Sequence, residues 1–528
     1  MLQASPAAAP MRKTNTLFAV MLVVMVGYFV YWGLGYTHQN HTTLFLLATF
    51  FGVFMAFNIG GNDVANSFGT SVGAGTLTVP QALMVAAVFE VSGAVLAGGE
   101  VTATIRNGIV NLNALPMQPL DLVFIMMSAL LAAALWLLFA TYKGLPVSTT
   151  HSIIGGIVGS SLALGWLIPN ANALALVKWE KIGAIAVSWV LSPVLGGAVS
   201  YFLFSLVKKH VLDYNDKADE ALKKIKAEKK RYKEEHKRKF EDLSPEEKPR
   251  IAAAMARDAE IYSSKSDFDP SELESNYYKR LYEIESQKNT IGAYKALESW
   301  VPVISSLAGM MITAMLLFKG LQNLKLGMST LTNTLIILMV GAFIWLATFI
   351  YARTLKRKDL AKSTFLMFSW MQVFTAAGFA FSHGANDIAN AIGPFAAIMD
   401  VLRTNDIGAS ASIPPVAMLT FGVALVVGLW FIGKEVIQTV GKGLAELHPS
   451  SGFTAELSAA TVVMAASVMG LPVSSTHILV GAVLGIGLVN KNANWQMMKP
   501  IGLAWVITLP AASLLSVGAF FALRGIFG

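Results

Sequence analysis

The chain has 528 residues, of which 55% are hydrophobic and 14% charged, with a mean hydropathy of +0.57 and no cysteine. Soluble chains carry about 25% charged residues. Here residues 208–298 hold 21 of the 40 Lys/Arg and 20 of the 32 Asp/Glu, leaving 12 acids for the other 437 residues. A water-facing surface cannot be built from that remainder, so the chain reads as a polytopic membrane protein. The near-equal charges of the middle segment exclude a nucleic-acid binder. The missing cysteines exclude disulfides, thiolate metal sites and cysteine nucleophiles.

Crossing ~30 Å of hydrocarbon takes about 20 apolar residues. In chain order, segments of that kind are expected at 14–35, 42–60, 80–99, 119–142, 145–165, 182–207, 300–318, 331–352, 365–384, 414–432, 453–470, 472–490 and 500–525. All are read as helices, several of them broken or re-entrant, because the alternation of a β-barrel is absent. The first follows Arg12-Lys13 and is too long for a signal peptide, so it is a retained helix. The insert 208–298 is expected to be a solvated helical hairpin. Ser244-Pro245-Glu246-Glu247 has the composition of a helix start. Arg353, Lys356, Arg357, Lys358 and Lys362 crowd one short connection, which the positive-inside rule makes cytoplasmic; helix parity puts the insert on the same side. The resulting division is an N-terminal helix (1–41), a first transmembrane repeat (42–207), the insert (208–298) and a second repeat (299–528).

The repeat is legible in two motifs. Phe57-Asn58-Ile59-Gly60-Gly61-Asn62-Asp63-Val64-Ala65-Asn66 returns as Phe381-Ser382-His383-Gly384-Ala385-Asn386-Asp387-Ile388-Ala389-Asn390. Gly144-Leu145-Pro146-Val147-Ser148-Thr149-Thr150-His151 returns as Gly470-Leu471-Pro472-Val473-Ser474-Ser475-Thr476-His477, with Gly155 and Gly159 against Gly481 and Gly485. A weaker pair matches Glu100, Thr104 and Gly108 to Glu435, Thr439 and Gly443.

Each motif puts polar groups where lipid cannot solvate them. An ionisable side chain at membrane depth costs at least ~2.5 kcal/mol and is a functional signal by default. Asn62, Asp63 and Asn66, with Asn386, Asp387 and Asn390, supply carboxylate and amide oxygens, and the glycines are expected to unwind the helix and free carbonyls. Together these suit a small hard cation. The prolines are expected to open new helices whose first turns carry Ser148-Thr149-Thr150 and Ser474-Ser475-Thr476. Hydroxyls and unpaired amides at a helix N-terminus suit an anion. The small-residue spacings at Gly155/Gly159 and Gly481/Gly485 read as close helix packing. One central site for an oxyanion and cations follows. Hydrogen phosphate has an O–H to offer Asp63 or Asp387; sulfate at neutral pH has none, so phosphate is favoured.

At these residues the chain resembles the inorganic phosphate transporter (PiT) family of cation-coupled symporters, whose signature is a GAND-x-AN and a GLP-[IV]-S-[ST]-TH sequence in each half. The second copy matches fully; the first has Gly61 where the pattern has alanine. The resemblance, over roughly 42–207 and 300–525, implies an all-α fold of two inverted repeats and a homodimer. It also implies a phosphate site at Asp63, Ser148, Thr149, Thr150, Asp387, Ser474, Ser475 and Thr476. Sodium would sit at Asn62, Asp63, Asn66, Asn386, Asp387 and Asn390. Glu90 and Glu456 match two further family glutamates and are themselves intramembrane acids. Symport of phosphate with Na⁺ or H⁺ across the plasma or inner membrane is then expected, with no cofactor.

Alternatives stay open on the residues alone. The oxygens favour Na⁺, whereas His383 and the carboxylates could serve protons. His151 and His477 are read as orienting the Ser/Thr turns, and Arg106 as pairing with Glu100 or reaching the interface. A sulfate permease would share much of the site, and a passive anion channel would not need the acids. An intramembrane hydrolase using Ser148 and His151 lacks a nucleophile turn and would not need every part twice.

Overall fold

A computed structural model describes residues 8–169, 172–264, 269–320, 327–357, 359–407, 413–443 and 447–528. Among the described residues there is no strand, and the helices run α1 (Ala8–Tyr36), α2 (Thr42–Ile59), α3 (Ala65–Gly73), α4 (Val79–Ala97), α5 (Gly99–Asn107), α6 (Pro119–Tyr142), α7 (Thr149–Leu167) and α8 (Trp179–Val207). Then come α9 (Asp213–Glu241), α10 (Glu247–Ser264) and α11 (Asn276–Ile291) in the insert. The second half holds α12 (Lys295–Met315), α13 (Thr330–Thr354), α14 (Leu360–Asp387), α15 (Ala389–Thr404), α16 (Pro415–Ile432), α17 (Lys434–Gly443), α18 (Pro449–Val468), α19 (Ser475–Asn490) and α20 (Trp495–Phe527).

Among the described residues, twelve helical stretches are long and apolar enough to cross a membrane, one fewer than the segments expected. The difference is 472–490. Gly470 takes a left-handed φ of 64° and Ser474 caps the helix, so α19 has 16 residues. At 1.5 Å per residue it spans ~24 Å, short of the hydrocarbon thickness. The segments at 42–60 and 365–384 are longer than expected, because the motif glycines do not end them. Gly60–Val64 continues α2 as a π-helical turn into α3, and α14 runs to Asp387 before a single break at Ile388. The helix therefore re-registers where unwinding was expected, a kind of turn common at functional sites. Leu331, Leu335, Leu338 and Met339 of α13 are exposed, as a lipid-facing helix requires.

The chain forms two compact units. One comprises residues 206–305 and 343–367, so the insert folds together with the basic connection; Lys358 of that connection lies outside the described residues. Within this unit Ser244 and Glu247 bond reciprocally and begin α10, as expected. Glu285 of α11 is bound by Lys229 of α9 and Tyr262 of α10. Burial alone would raise the Asp258 carboxyl; the Ser275 hydroxyl and the amides of Glu274 and Ser275 overcome it and hold the group below its usual range.

The other unit, 1–205, 306–342 and 368–528, contains both copies of each motif. Its contacts come in crossed pairs. At Gly93 and Gly384, α4 of the first half meets α14 of the second so closely that a Cβ would overlap the Phe381 or the Glu90 carbonyl. The matched crossing brings α16 onto α2, where Gly428 and Gly60 abut the carbonyls of Phe57 and Leu425. Gly155 and Gly159 of α7 lie against Leu509 and Ser513 of α20, and Gly481 and Gly485 of α19 against Pro193 and Gly197 of α8. The small-residue spacings are thus packing sites, and each half supplies helices that clasp the other. Inside this unit α1 is well seated: Phe29 is fully buried against Phe45, Phe395 and Phe421.

Candidate functional site

The crossed packing carries both motifs of both halves to one buried place. Asp63, Asp387, Thr149, Thr150, Ser475, Thr476 and Asn390 are at most 1% exposed. Each Ser/Thr turn forms because proline cannot extend a helix backward. The cap residue, however, is Ser148 or Ser474, two positions after the proline, and its Oγ accepts from the N–H of His151 or His477 at 3.1 and 3.2 Å. The serines thereby satisfy backbone, and the following hydroxyls are released toward the acids.

Those hydroxyls link the halves. Thr149 Oγ1 donates to Asp63 Oδ2 at 2.6 Å, within the first repeat. Ser475 Oγ reaches Asp63 Oδ1 at 3.0 Å and Asp387 Oδ2 at 2.6 Å, and Thr476 also donates to Asp63. Thr150 crosses to the Val473 carbonyl at 2.8 Å and Thr476 to the Val147 carbonyl at 3.4 Å. Asn390 Nδ2 bonds Asp387, Thr149 and Thr150, while its Oδ1 is buried without a donor among the described residues. A carbonyl oxygen left unsatisfied beside two carboxylates has the character of a cation ligand.

Asn62 and Asn386 are fully engaged. Asn62 donates to Thr141 and the Leu145 carbonyl, and its Oδ1 accepts from the Val147 N–H at 3.0 Å. Asn386 repeats the pattern with Ser467, Leu471 and Val473. Each amide ties its acidic motif to the Ser/Thr turn of its own half. The side chain of Asn66 lies outside the described residues.

His383 stands among three acids. Its Nε2 is 2.8 Å from Asp387 and 3.7 Å from Asp63, and its Nδ1 is 2.8 Å from Glu90. Asp63, His383 and Asp387 have ligand atoms close enough together to hold one ion. Glu90 gets there because Gly93 and Gly384 let α4 and α14 touch.

Glu456 lies in a different setting, which its sequence neighbours did not announce. Its carboxylate accepts from Thr70 at 2.8 Å and from Ser71 on α3, and from Gln372 at 3.0 Å and Thr375 at 2.9 Å on α14. No Lys, Arg or His among the described residues pairs with it. A Cβ at Gly452 would strike Gln372, so that glycine leaves room for the amide. The available signal was the polar pair Gln372/Thr375 on one face of an apolar helix. The matched positions of the first half, Ala48 and Phe51, are buried and apolar.

One expectation is corrected. Arg106 pairs with Asp400 of α15, because α5 lies along that helix and turns the guanidinium away from Glu100. The rings of His151 and His477 meet each other edge-on and pack against tryptophans, and neither ring nitrogen of His151 has a hydrogen-bond partner among the described residues, so Ser148 and His151 form no nucleophile–base pair.

Comparison with known proteins agrees with the motifs and the all-helical fold. A model described as the phosphate transporter family matches residues 59–516. A Mycobacterium bovis protein called "Putative phosphate permease" is 58% identical over 520 residues, covering 98% of this chain and 94% of that one. A Pyrococcus abyssi protein of the same description is 33% identical, covering 90% and 96%. A solved structure titled "The sodium-dependent phosphate transporter" aligns with a TM-score of 0.69 and 31% identity, covering 92% of this chain and all of that one. The motifs, the all-helical fold and these matches make the chain an integral, multi-pass membrane protein and no enzyme. It belongs to the phosphate transporter family.

Proposed function

We propose that the protein is a symporter that moves inorganic phosphate together with Na⁺, using the pocket where the halves meet. The observation that carries this reading is Ser475 bridging Asp63 and Asp387, so that two buried acids from different repeats share one hydroxyl. Two carboxylates that close in a low dielectric call for a cation. The hydroxyls of Thr149, Thr150, Ser475 and Thr476, on helix N-termini capped by Ser148 and Ser474, then turn to the phosphate oxygens. Asp63, Asp387 and Asn390 Oδ1 hold Na⁺, with Asn62 and Asn386 fixing the acids against the turns. Moving a divalent anion into a cell at −100 mV costs about 4.6 kcal/mol, which two or more co-transported Na⁺ remove. The inverted relation of the repeats, a cytoplasmic insert and a homodimer belong to the same proposal.

A second cation is assigned to Glu456. A buried carboxylate with no cationic partner among the described residues, held by the hydroxyls of Thr70, Ser71 and Thr375 and by Gln372 Nε2, takes a proton or a hard cation, and the three hydroxyl oxygens favour Na⁺. Glu456→Gln keeps the shape and removes the charge. It is expected to raise the Na⁺ concentration for half-maximal uptake about tenfold, with the phosphate KM at saturating Na⁺ little changed. An unchanged Na⁺ dependence rejects the assignment.

The position of His383 favours H⁺ coupling as the second reading, since an imidazole among three acids can carry a proton. Radiolabelled phosphate uptake into proteoliposomes decides between them. An inward Na⁺ gradient is expected to drive accumulation, a pH gradient alone is not, and excess sulfate is expected to compete poorly. Accumulation under a pH gradient without Na⁺ selects the second reading, and none under either gradient rejects both.

A further inference from the structure

Behind the two Ser/Thr turns lies a row of four rings, packed edge-on at two of its three contacts and tilted at the third. His151 and His477 touch with centroids 4.7 Å apart, Trp189 lies 3.8 Å from His151, and Trp505 lies 3.8 Å from His477. The row is symmetric in the chain. His151 and His477 are matched positions in the two motifs, and the tryptophans precede by four residues the points where α8 and α20 meet α19 and α7, at Pro193 and Leu509. Both histidines are buried, and Nδ1 and Nε2 of His151 and Nε2 of His477 have no hydrogen-bond partner among the described residues.

Those unused nitrogens decide what the rings do. A histidine kept for acid–base work or for hydrogen bonding would present a nitrogen to a partner; neither nitrogen of His151 has one among the described residues, nor does Nε2 of His477. What the imidazoles offer is a rigid body of fixed width, met edge-on at 65° between the two histidines and 75° between His151 and Trp189. Each is rigidly joined to its turn, since the N–H of His151 is held by Ser148 and that of His477 by Ser474. Trp189 Nε1 also donates to the Pro472 carbonyl at 3.2 Å, anchoring one end of the row to the opposite turn. One residue before each histidine, Thr150 and Thr476 bond the Val473 and Val147 carbonyls across the same junction. The hydroxyls of Thr149, Ser475 and Thr476 that face the acids therefore stand on two helix starts whose separation is set by the rings between them.

We infer that His151 and His477, clamped by Trp189 and Trp505, are positioning residues that space the two Ser/Thr turns and so set the size of oxyanion the transporter accepts. The inference rests on the reading that those turns hold phosphate. Narrowing the row lets the helix starts shift relative to each other, and a pocket fitted to phosphate then admits a larger tetrahedral anion on better terms. Replacing each imidazole by another flat ring preserves the spacing.

Arsenate is the appropriate probe, having the charge and shape of phosphate with longer bonds. The experiment measures KM for phosphate and for arsenate in proteoliposomes under one Na⁺ gradient. His151→Ala with His477→Ala is expected to shift the arsenate-to-phosphate KM ratio toward arsenate by at least about fivefold, a size typical of small steric changes in a pocket. His151→Phe with His477→Phe is expected to hold the ratio within about twofold of the original protein. General loss of packing lowers uptake of both anions together and leaves the ratio alone, which overturns the inference, as does a phenylalanine pair that shifts the ratio as far as the alanine pair. Should the double-alanine protein fail to reach the membrane, His477→Ala alone is read by the same criterion. Thr149→Val with Ser475→Ala separates the two readings. If it leaves the phosphate KM unchanged, the phosphate site itself is misplaced. If it raises that KM while the histidine pair leaves the ratio fixed, only the spacer is wrong.

Discussion

Asp63→Asn or Asp387→Asn is expected to reduce Na⁺-driven phosphate uptake at least about a hundredfold, with the protein still reaching the membrane in normal amount. The substitution is nearly isosteric, so the crossings at Gly93/Gly384 and Gly60/Gly428 are undisturbed. It changes two things at the site. The negative charge goes, and with it the main attraction for a cation; at an effective dielectric of 20, opposite charges 4 Å apart interact by about 4 kcal/mol, and each 1.4 kcal/mol is a factor of ten. An NH₂ also arrives where hydroxyl donors of Thr149, Ser475 and Thr476, or Ser475 and Asn390, expect an acceptor. The two positions are not equivalent. Asp63 receives three hydroxyls from both repeats, whereas Asp387 also faces His383 at 2.8 Å. Asp63→Asn should weaken phosphate and Na⁺ together, and Asp387→Asn should shift chiefly the Na⁺ dependence. Uptake within threefold of the original protein in either variant would remove the aspartates from the transport site.

How far these acids could be found from the sequence depends on where their partners lie. Asp63 and Asp387 were legible because a duplicated Asn-Asp in an apolar run has no innocent explanation at membrane depth, and the Ser/Thr turns because proline followed by hydroxyls marks a helix start. The links between motifs were not legible. Ser475 meets Asp63 across 412 residues, and Glu456 meets Ser71 across 385; nothing local to either residue encodes such a contact. The Glu456 cage shows this most plainly. Its ligands are ordinary Thr, Ser and Gln residues spread over α3 and α14, and they become a cluster only when the halves interlock. Local rules also misjudged backbone. Two adjacent glycines read as a place to unwind, yet tight packing of Gly60 on the Leu425 carbonyl holds the segment helical. Arg106 read either as a partner of Glu100, the nearest acid in the chain, or as reaching the interface, and helix packing gave it Asp400 instead.

Arg106→Leu is expected to be the most destabilising single change outside the transport site, lowering the unfolding free energy by about 3–5 kcal/mol. The guanidinium and the Asp400 carboxylate form an ion pair at the ends of α5 and α15, with side chains 5% and 6% exposed. Two solvated charges lose much of their hydration in such a place, so the pair itself contributes little net stability. Removing one partner is a different matter, because Asp400 then stays buried with its charge uncompensated. The sign of the double substitution follows. Arg106→Leu with Asp400→Leu removes both charges together and should recover most of the loss, leaving the protein within about 1–2 kcal/mol of the original. The matched positions of the repeat, Gly441 and Thr76, carry no charge, so the fold does not require an ion pair at this kind of junction. Thermal unfolding of the detergent-solubilised protein reads the series as a double-mutant cycle. The expected order is original protein, double variant, then Arg106→Leu and Asp400→Leu well below. If the double variant is as unstable as the worse of the singles, packing of the arginine stem, and not the orphaned acid, is what holds α5 to α15.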